Sequence, residues 1–327
     1  MTKLNDILSL YEGATVLVTG ASGFIGRWVA RTLCSQRANV NLVVRNKSVA
    51  EKIFSKYGVY GNIFEIDLLD PEVVMNLVQR VRPSITFNLA GYGVDPSERD
   101  EKTAYQINAY LVEAVCKAMR SIQDTDWSGQ DVIHVGSALE YGIIGGNLSE
   151  DSTPNPTTLY GKSKLAGTSL LTQYCKTNGV KGLSARLFTV YGPGEHAGRL
   201  LPSLLETAKT MKPLNLTAGT QKRDFTYVED VAEGLIRLSV SKAKPGEVVN
   251  IATGQLTSVR KFAETAAWIL GIPNDKLRFS FIPTREEEME HSPITIDNLW
   301  RLTSWVSPTG IEEGIRKTRD FCKGVDK

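Results

Sequence analysis

A glycine-rich turn between an apolar segment and an amphipathic segment constrains this sequence most. Residues 14–19 form a short apolar run, typical of a buried strand, that ends at Gly20. Apolar residues then recur at 24, 25, 28, 29 and 33, which is helical spacing. The spacing Gly20-x-x-Gly23-x-x-Gly26 lies where the two segments join. A strand that runs directly into a helix predicts a βαβ unit and a parallel sheet covered on both faces.

The alternation of strand-like and helix-like segments continues to about residue 188. Further strands are predicted at 39–44, 62–66, 84–90, 131–135 and 182–188, with helices at 72–81, 103–120 and 159–176. A later strand-like segment, 248–252, is predicted to return to the main sheet. We therefore predict an α/β protein with a Rossmann-type, doubly wound parallel sheet and a smaller, mostly C-terminal substrate lobe. The Rossmann domain comprises 1–188, with 224–254 returning to it, and the lobe comprises 189–223 and 255–327.

Charge and composition narrow the class of protein. The formal net charge is +2, too small to attract nucleic acid or a membrane surface. No apolar run approaches the roughly 18 residues of a membrane span, and residues 1–13 lack the apolar region of a signal peptide. We expect a cytoplasmic protein that binds neither nucleic acid nor membrane. Four widely spaced cysteines predict buried free thiols, and three scattered histidines argue against a metal site.

The glycine turn predicts a dinucleotide site. Glycine lets the backbone approach a pyrophosphate, and the helix N-terminus offers unpaired N–H donors and a partial positive charge. A tight turn that binds nothing is the alternative. The predicted cofactor contacts from the turn and the next two strand ends are Gly20, Ser22, Gly23, Phe24, Ile25, Gly26, Arg45, Asp67 and Leu68.

Arg45 bears on which nicotinamide dinucleotide is used. It lies 19 residues after Gly26, where an NAD enzyme usually carries an acid for the ribose 2′-hydroxyl. An arginine there can pair with the 2′-phosphate of NADP. We predict NADP, with NAD as the alternative because an arginine can also be merely solvated. Asp67, which ends the third strand, is placed to meet the adenine ring, although a helix cap explains it nearly as well.

Tyr160 and Lys164 predict the chemistry. They are one helical turn apart and therefore share one face of a predicted helix. A phenol of ordinary pKa near ~10 handles a proton poorly unless its anion is stabilised, and Lys164 supplies a positive charge. Ser137 follows the strand 131–135, where its hydroxyl can bind a substrate oxygen at the sheet's carboxyl edge. Together they predict hydride transfer to or from a carbonyl, with an exposed tyrosine–lysine pair as the alternative.

Eight segments in order resemble the extended short-chain dehydrogenases/reductases, in the group of nucleotide-sugar epimerases, dehydratases and reductases. They are TGASGFIG (19–26), DLLD (67–70), NLAG (88–91), GSALEYG (136–142), YGKSK (160–164), RLFTVYGPG (186–194), RDFTYVEDVAEG (223–234) and NIATG (250–254). The resemblance implies Ser137, Tyr160 and Lys164 as the catalytic set and Asn108 as a further member of a proton relay. It also implies that Tyr160 and Lys164, like Leu89, Ala90 and Gly91, contact the cofactor.

The resemblance further implies a nucleotide-diphospho-sugar substrate. Arg223 matches an arginine that grips the diphosphate, and the alternative for it is an ion pair with a neighbouring acid. Arg285 matches a second nucleotide contact, although a solvated acidic helix start explains that region nearly as well. Ser137 completes the predicted substrate contacts. Relatives dimerise through two long helices, here about 103–120 and 159–176, so a homodimer is expected.

Residues 138–140 bear on the reaction. Related 4,6-dehydratases carry acids directly after the serine or threonine, whereas Ala138 and Leu139 cannot move a proton. Glu140 follows, and alternation along an extended segment would turn it away. GSALEYG resembles the form in reductases of nucleotide-linked 4-keto-6-deoxy sugars. We predict NADPH-dependent 4-keto reduction; the alternatives are C4 epimerisation with a tightly bound cofactor and a non-catalytic dinucleotide-binding sensor or scaffold.

Overall fold

The structure is a computed structural model that describes residues 3–35, 37–95, 97–122, 126–144, 146–283 and 291–325. Its strands are β1 (Thr15–Thr19), β2 (Asn39–Val44), β3 (Asn62–Glu65), β4 (Ile85–Asn88), β5 (Val132–Ser137), β6 (Gly182–Leu187), β7 (Thr189–Tyr191), β8 (Leu214–Asn215), β9 (Lys222–Tyr227), β10 (Glu247–Ile251), β11 (Leu256–Ser258) and β12 (Leu277–Arg278). Its helices are α1 (Leu4–Leu8), α2 (Gly26–Cys34), α3 (Lys47–Tyr57), α4 (Pro71–Val81), α5 (Glu101–Tyr105), α6 (Leu111–Ile122), α7 (Leu159–Asn178), α8 (Leu200–Thr210), α9 (Val228–Ser239), α10 (Val259–Leu270), α11 (Asp297–Thr303) and α12 (Ile311–Val325).

Seven parallel strands form the main sheet, in the order β10-β6-β5-β4-β1-β2-β3. The chain moves outward from β1 to β3 on one side and from β4 to β10 on the other. A doubly wound sheet leaves a crevice at the carboxyl ends of its strands where this direction reverses. The predicted doubly wound sheet is confirmed, and β10 pairs with β6 as the predicted returning strand.

Both faces of the main sheet are covered by helices. Val16 and Val18 of β1 belong to an apolar cluster with residues of α2 and α9. Leu17, which lies between them, belongs to a second cluster on the opposite face with residues of α4, α6 and α7. Because successive side chains of a strand point to opposite faces, a continuous apolar run such as β1 serves two cores. The two apolar clusters hold the strands in place, and with them the carboxyl ends where the crevice lies.

The smaller lobe has its own sheet and core. β9 lies between β7, which is parallel to it, and β11, which is antiparallel. Phe225 of β9 stacks on Phe262 of α10 with ring centroids 4.2 Å apart, and Tyr191 contacts the same ring edge-on. α9 follows β9 directly and packs on the main sheet. The exact division between Rossmann domain and lobe stays a prediction.

The predicted helix 103–120 is interrupted. α5 passes into a π-helical segment, Gln106–Tyr110, before α6 begins. A π-helical turn holds one extra residue in its hydrogen-bonded loop and often occurs at functional sites. Within the described ranges, no helix is long and apolar enough to cross a bilayer.

The four cysteines are free thiols. Cys34, Cys116 and Cys175 are buried, as predicted, whereas Cys322 near the end of α12 is only half-buried. Among the described residues, no group of three or more histidine, cysteine, aspartate or glutamate side chains is arranged to hold a metal ion.

Candidate active site

The glycine turn between β1 and α2 is a close-packed backbone corner. Gly20 has a left-handed φ of 61°, and its carbonyl accepts a 2.9 Å hydrogen bond from the N–H of Gly23. A methyl group added at Gly26 would lie 2.1 Å from that same carbonyl oxygen, so a side chain is excluded there. A methyl group at Gly20 would meet the backbone of Leu89 and Ala90 within 2.8 Å. The predicted cofactor residues after β1 and after β4 are therefore in contact.

The start of α2 fits a pyrophosphate. Ile25 is the N-cap residue, and no side chain hydrogen bond caps the helix. The N-terminal end of a helix attracts an anion, although the N–H groups of Arg27 and Trp28 here already donate to the carbonyls of Gly23 at 3.2 Å and Ile25 at 3.0 Å. Arg27 braces the turn, because it donates to the carbonyls of Gly23 at 2.9 Å and Ser22 at 2.8 Å. The close glycine corner and the uncapped helix start together fit a dinucleotide, and Phe24 beside them lines the cavity described below.

The candidate adenosine contacts stand at the ends of β2 and β3. Arg45 directly follows β2 and is exposed. Asp67 is exposed as well and accepts a 3.2 Å hydrogen bond from the N–H of Leu69, while Leu68 is buried. The residue that caps α4 is Asp70, so the helix-cap explanation of Asp67 is wrong. Both side chains lie at the carboxyl edge of the sheet, and their contacts with adenosine stay predictions.

The loop after β4 is tied to the end of β1. The hydroxyl of Thr19 donates to Asn88 Oδ1 at 2.7 Å. It accepts from the backbone N–H groups of Leu89 at 3.1 Å and Ala90 at 3.2 Å. The amide nitrogen of Asn88 in turn lies 3.3 Å from Nδ1 of the buried His134 on β5. The carboxyl ends of three adjacent strands are thus joined by side-chain hydrogen bonds, which holds the predicted cofactor loop in place.

Ser137, Tyr160 and Lys164 converge at the carboxyl end of β5. Ser137 lines the same cavity as Tyr160 and lowers the pKa of its phenol, and the Ser137 hydroxyl accepts from the N–H of Leu139 at 3.2 Å. Lys164, one turn along α7, places Nζ 6.0 Å from the centroid of the Tyr160 ring. Its ammonium donates to the carbonyl of Val135 at 3.0 Å. The three residues predicted as the catalytic set therefore lie together, and their catalytic roles stay predictions.

Close packing of α7 brings Tyr160 to Ser137. Thr158 caps the helix by accepting a 3.0 Å hydrogen bond from the N–H of Gly161. A methyl group added at Gly161 would lie 2.3 Å from the carbonyl oxygen of Leu139. Only glycine at this position permits the first turn of α7 to rest against the turn that follows β5.

Burial dominates the electrostatics of Tyr160 and Lys164. Burial and then the carboxylate of Glu140 raise the pKa of Tyr160 to about 12, whereas Arg199 and the hydrogen bond from Ser137 lower it. Burial lowers the pKa of Lys164 to about 8, and Glu140 opposes this shift. At neutral pH the lysine therefore remains mostly charged. Among the protein groups, Arg199 favours ionisation of the phenol most.

Glu140 lies in the protein interior. Residues 138–140 form a 3₁₀ turn, so the expectation of an extended segment there is wrong. One carboxylate oxygen of Glu140 accepts from the Ser137 N–H at 2.8 Å and from Thr168 at 3.1 Å. The other accepts from Arg186 Nε at 2.8 Å, and both charged side chains are almost fully buried. Glu140 is therefore an acceptor that fixes Ser137, and it does not line the cavity.

Asn108 lies on the π-helical segment, next to the catalytic set. Its amide oxygen accepts from the Tyr92 N–H at 3.0 Å, and its amide nitrogen donates to the Tyr92 carbonyl and to Ser163. A methyl group at Gly91 would lie 3.7 Å from Asn108 Oδ1 and 3.6 Å from Lys164 Nζ. Asn108 thus holds the loop after β4 beside Lys164, and its place in a proton relay stays a prediction.

A cavity of about 580 Å³ opens beside these groups. Phe24, Ser137, Tyr160 and Arg223 all line it, so one residue of the glycine turn, two of the catalytic set and the predicted diphosphate contact share one space. This volume is typical of small-molecule sites. Arg285, the other predicted nucleotide contact, lies outside the described residues.

Three further residues of the cavity were not predicted from the sequence. Glu195 and Arg199 form an ion pair at 3.6 Å, with the glutamate side chain 7% exposed and the arginine 51%. His291 is buried, and its Nδ1 accepts from the N–H of Asp224 at 3.0 Å. Burial and the charge of Arg223 lower the pKa of His291 to about 3, so it is neutral. The spacing of Glu195 and Arg199 is visible in the sequence, but their burial is not.

Residues 16–252 match the NAD dependent epimerase/dehydratase family. The chain belongs to this family. A dTDP-6-deoxy-L-talose 4-dehydrogenase (NAD(P)(+)) from Kitasatospora kifunensis is 28% identical over 80% of this chain and 81% of the relative. A UDP-glucose 4-epimerase from Mycolicibacterium smegmatis is 27% identical over 94% of this chain and 98% of the relative.

Solved structures agree with this assignment. MoeE5 in complex with UDP-glucose and NAD superposes with a TM-score of 0.81 at 25% identity, over 95% of this chain and 99% of MoeE5. The predicted resemblance to the epimerase, dehydratase and reductase group is confirmed. Because the family is NAD dependent, the prediction of an enzyme that uses a nicotinamide dinucleotide is confirmed as well.

Proposed function

We propose that this protein reduces the 4-keto group of a nucleotide-activated deoxysugar, with NADPH as the hydride source and Tyr160 as the proton donor. The observation that carries the proposal is that Ser137 and Tyr160 line one cavity together with Phe24 of the glycine turn. A hydroxyl and a phenol in the wall of one cavity suit a carbonyl oxygen that becomes an alcohol. The similarity to a nucleotide-sugar 4-dehydrogenase supports the same chemistry.

Each residue of the set has a distinct part in the reaction. A bound nicotinamide dinucleotide supplies the hydride to the carbonyl carbon. Tyr160 Oη transfers its proton to the carbonyl oxygen, and the Ser137 hydroxyl holds that oxygen in place. Lys164 contributes a positive charge beside the phenol and is held by the carbonyl of Val135. Asn108 positions the backbone that passes over Lys164.

The turn after β5 argues against dehydration. Elimination of water requires an acid and a base beside the sugar, and the side chains that follow Ser137 are Ala138 and Leu139. Leu139 lines the cavity and has no proton to move. The carboxylate of Glu140, which follows, is bonded to Arg186 in the interior. Reduction needs only the one proton that Tyr160 supplies and no further acid or base after Ser137, so the site suits a reductase.

Arg45 supports NADP over NAD. Its guanidinium is exposed at the end of β2, where the ribose of a dinucleotide bound at the glycine turn comes to lie. Arg45→Asp should weaken NADP+ binding at least about tenfold while leaving NAD+ binding nearly unchanged, because only the 2′-phosphate is lost as a partner. Calorimetry with both dinucleotides measures this, and equal losses for both would refute the contact.

The diphosphate of the substrate is proposed to bind at Arg223. This side chain lines the same cavity as Tyr160, from the lobe that carries β9. A guanidinium makes paired hydrogen bonds to phosphate oxygens, which suits an anionic nucleotide carrier. A thermal-shift panel of UDP-, dTDP-, GDP- and CDP-sugars identifies the nucleotide, and Arg223→Gln should reduce the shift for that ligand.

Reductase activity is tested with NADPH and 4-keto-6-deoxyhexoses linked to each of these four nucleotides. We expect one equivalent of NADPH to be consumed for each equivalent of sugar reduced. Tyr160→Phe should lower kcat by roughly 10²–10⁴ while dinucleotide affinity stays close to that of the wild type. Tyr174→Phe removes a phenol from the same helix, outside the cavity, and serves as the matched control. Near-normal turnover by Tyr160→Phe would show that another group donates the proton.

C4 epimerisation is the second candidate, because a UDP-glucose 4-epimerase matches the chain almost end to end. An epimerase keeps its cofactor tightly bound and regenerates it in each cycle. Interconversion of UDP-glucose and UDP-galactose without added cofactor would establish this function. If, in addition, no keto sugar caused NADPH to be consumed, the proposed reductase activity would be contradicted.

A homodimer is proposed through the two long helical regions. α6 and α7 pack side by side on one face of the main sheet, and Tyr110, the last residue of the π-helical segment before α6, is exposed. Light scattering measures the mass of the particle. A monomer at micromolar concentration would contradict the proposal.

A further inference from the structure

The phenol of Tyr160 is buried beside charged groups other than Lys164. Burial raises its pKa to about 12, and the carboxylates of Glu140 and Glu98 add to this effect. A group that delivers a proton near neutral pH must leave an anion behind, and a nearby positive charge stabilises that anion. The protein groups around Tyr160 therefore point to a second cation.

Arg199 is placed to be that cation. It lines the same cavity as Ser137 and Tyr160, and half of its side chain is exposed there. It lies at the N-cap position of α8, where its carbonyl accepts from the Ser203 N–H at 3.0 Å. Its backbone is therefore fixed while its guanidinium faces the cavity.

The segment that carries Arg199 is anchored to the cofactor side of the molecule. The indole nitrogen of Trp28 on α2 donates to the carbonyl of Pro193 at 2.9 Å. Gly194, with φ of 89°, packs so closely on Tyr57 that a methyl group there would lie 2.4 Å from the phenol oxygen. α2 begins at the glycine turn, so Pro193 and Gly194, which lead to Arg199, are fixed relative to that turn.

Glu195 is the ion-pair partner of the Arg199 guanidinium. One of its carboxylate oxygens lies 3.6 Å from Arg199 Nε, and the other is buried without a hydrogen-bond partner in the described part of the chain. A buried carboxylate with an unsatisfied oxygen is costly, and the arginine is the charge that compensates it. The two side chains therefore act as one unit.

We propose that Arg199, positioned by Glu195, is a second cationic group that stabilises the Tyr160 phenolate during proton transfer. The inference rests on the proposed role of Tyr160 as the proton donor. It adds to the reaction a pair of residues outside the serine, tyrosine and lysine set. The proposal also explains why a buried glutamate lines a cavity that is proposed to bind an anionic ligand. Glu195 neutralises part of the charge of Arg199 and fixes the orientation of its side chain.

Other groups near Tyr160 also change the pKa of its phenol. Glu140 on the turn after β5 and Glu98 on the loop after β4 oppose ionisation, and the Ser137 hydroxyl favours it. Lys164 lies on the same helix, one turn away. Of the groups that favour the phenolate, Arg199 has the largest influence. Its removal should therefore have a measurable consequence at the phenol itself.

The test is an ultraviolet difference titration of Tyr160 in the presence of saturating NADP+. Each variant is compared with the same variant carrying Tyr160→Phe, so that the difference spectrum reports one phenolate among 11 tyrosines. Arg199→Gln should move the midpoint upward by about half a unit to one unit, which is the effect of one charge across a partly solvated cavity. Arg199→Lys keeps the positive charge and should therefore return the midpoint most of the way to the wild-type value.

Arg99→Gln is the matched control, since Arg99 is another exposed arginine of the cavity wall. It should leave the midpoint within about 0.2 units of the wild type, because long-range effects of exposed charges are screened. An unchanged midpoint in Arg199→Gln, or equal shifts in Arg199→Gln and Arg99→Gln, would overturn the inference. The titration needs no sugar, so it can fail while NADPH-dependent reduction succeeds, and the reverse also holds.

Discussion

Replacing Glu140 by glutamine tests the interior support of the site. The substitution keeps the volume and one oxygen for the Ser137 N–H and Thr168, and it removes the charge that faces Arg186. The two charged side chains are 0% and 4% exposed, with Nε and Oε2 2.8 Å apart. An arginine left charged and unpaired at such depth costs about 3–5 kcal/mol. Its contact with the Tyr141 ring, 4.5 Å from the centroid, is present in both proteins and therefore does not change this difference.

We therefore expect Glu140→Gln to lower the free energy of unfolding by about 3–5 kcal/mol, a large share of the 5–15 kcal/mol typical of folded proteins. Urea unfolding followed by circular dichroism and by tryptophan fluorescence measures it, and coincidence of the two curves checks the two-state assumption. Glu113→Gln breaks the exposed pair with Lys117 and should cost less than about 0.5 kcal/mol.

The double variant separates charge from packing. Glu140→Gln combined with Arg186→Met removes both charges and should recover stability to within about 1 kcal/mol of the wild type. A loss below about 1 kcal/mol in Glu140→Gln, or a double variant as unstable as the sum of both single variants, would refute the reasoning.

Three further predictions concern other parts of the chain. Burial raises the pKa of Glu195 to about 7, so its ionisation destabilises the folded state as the pH rises. In urea unfolding, the free energy of unfolding of Glu195→Gln should therefore increase by about 3 kcal/mol relative to that of the wild type between pH 4.5 and pH 8. A difference that does not depend on pH would contradict the assignment. Gly26→Ala should weaken NADP+ binding more than about tenfold in calorimetry, because its methyl group collides with a backbone carbonyl, while Gly310→Ala, with nothing within 4 Å, should bind normally. Asp70→Ala removes the cap of α4 and should lower the free energy of unfolding by about 1 kcal/mol, which is measured as a lower midpoint of thermal unfolding. An unchanged midpoint would show that the cap does not contribute to stability.

Much of the main sheet follows from local sequence. β2 runs from Asn39 to Val44 as predicted, because a compact apolar run bounded by polar residues specifies a buried strand. The interruption after α5 was not predicted: the residues of the π-helical segment are ordinary helix formers, and the extra residue is selected by packing of Asn108 against Tyr92 and Ser163.

The site was predictable where its residues follow strand ends. Ser137 and Tyr160 could be found because a strand end and a helix face define where a side chain points. The turn that contains Glu140 also carried a signal, since Ser137 followed three residues later by a glutamate forms a capping box, and this signature predicts a helical turn. The burial of Glu195 carried no local signal, because it depends on contacts such as that between Trp28 and Pro193, which are distant in sequence.

The position of Arg45 has a consequence for how such enzymes diversify. It stands at the end of β2, three strands away from Ser137 at the end of β5 in the order β2-β1-β4-β5. Neighbouring strands are about 4.8 Å apart, so roughly 14 Å separates the residue proposed to select the coenzyme from the residue proposed to hold the carbonyl oxygen. Substitutions at such separation usually act additively. With Arg45 in its proposed role, the preferred coenzyme can therefore change through substitutions in a single exposed loop, without a change in the pKa of the proton donor.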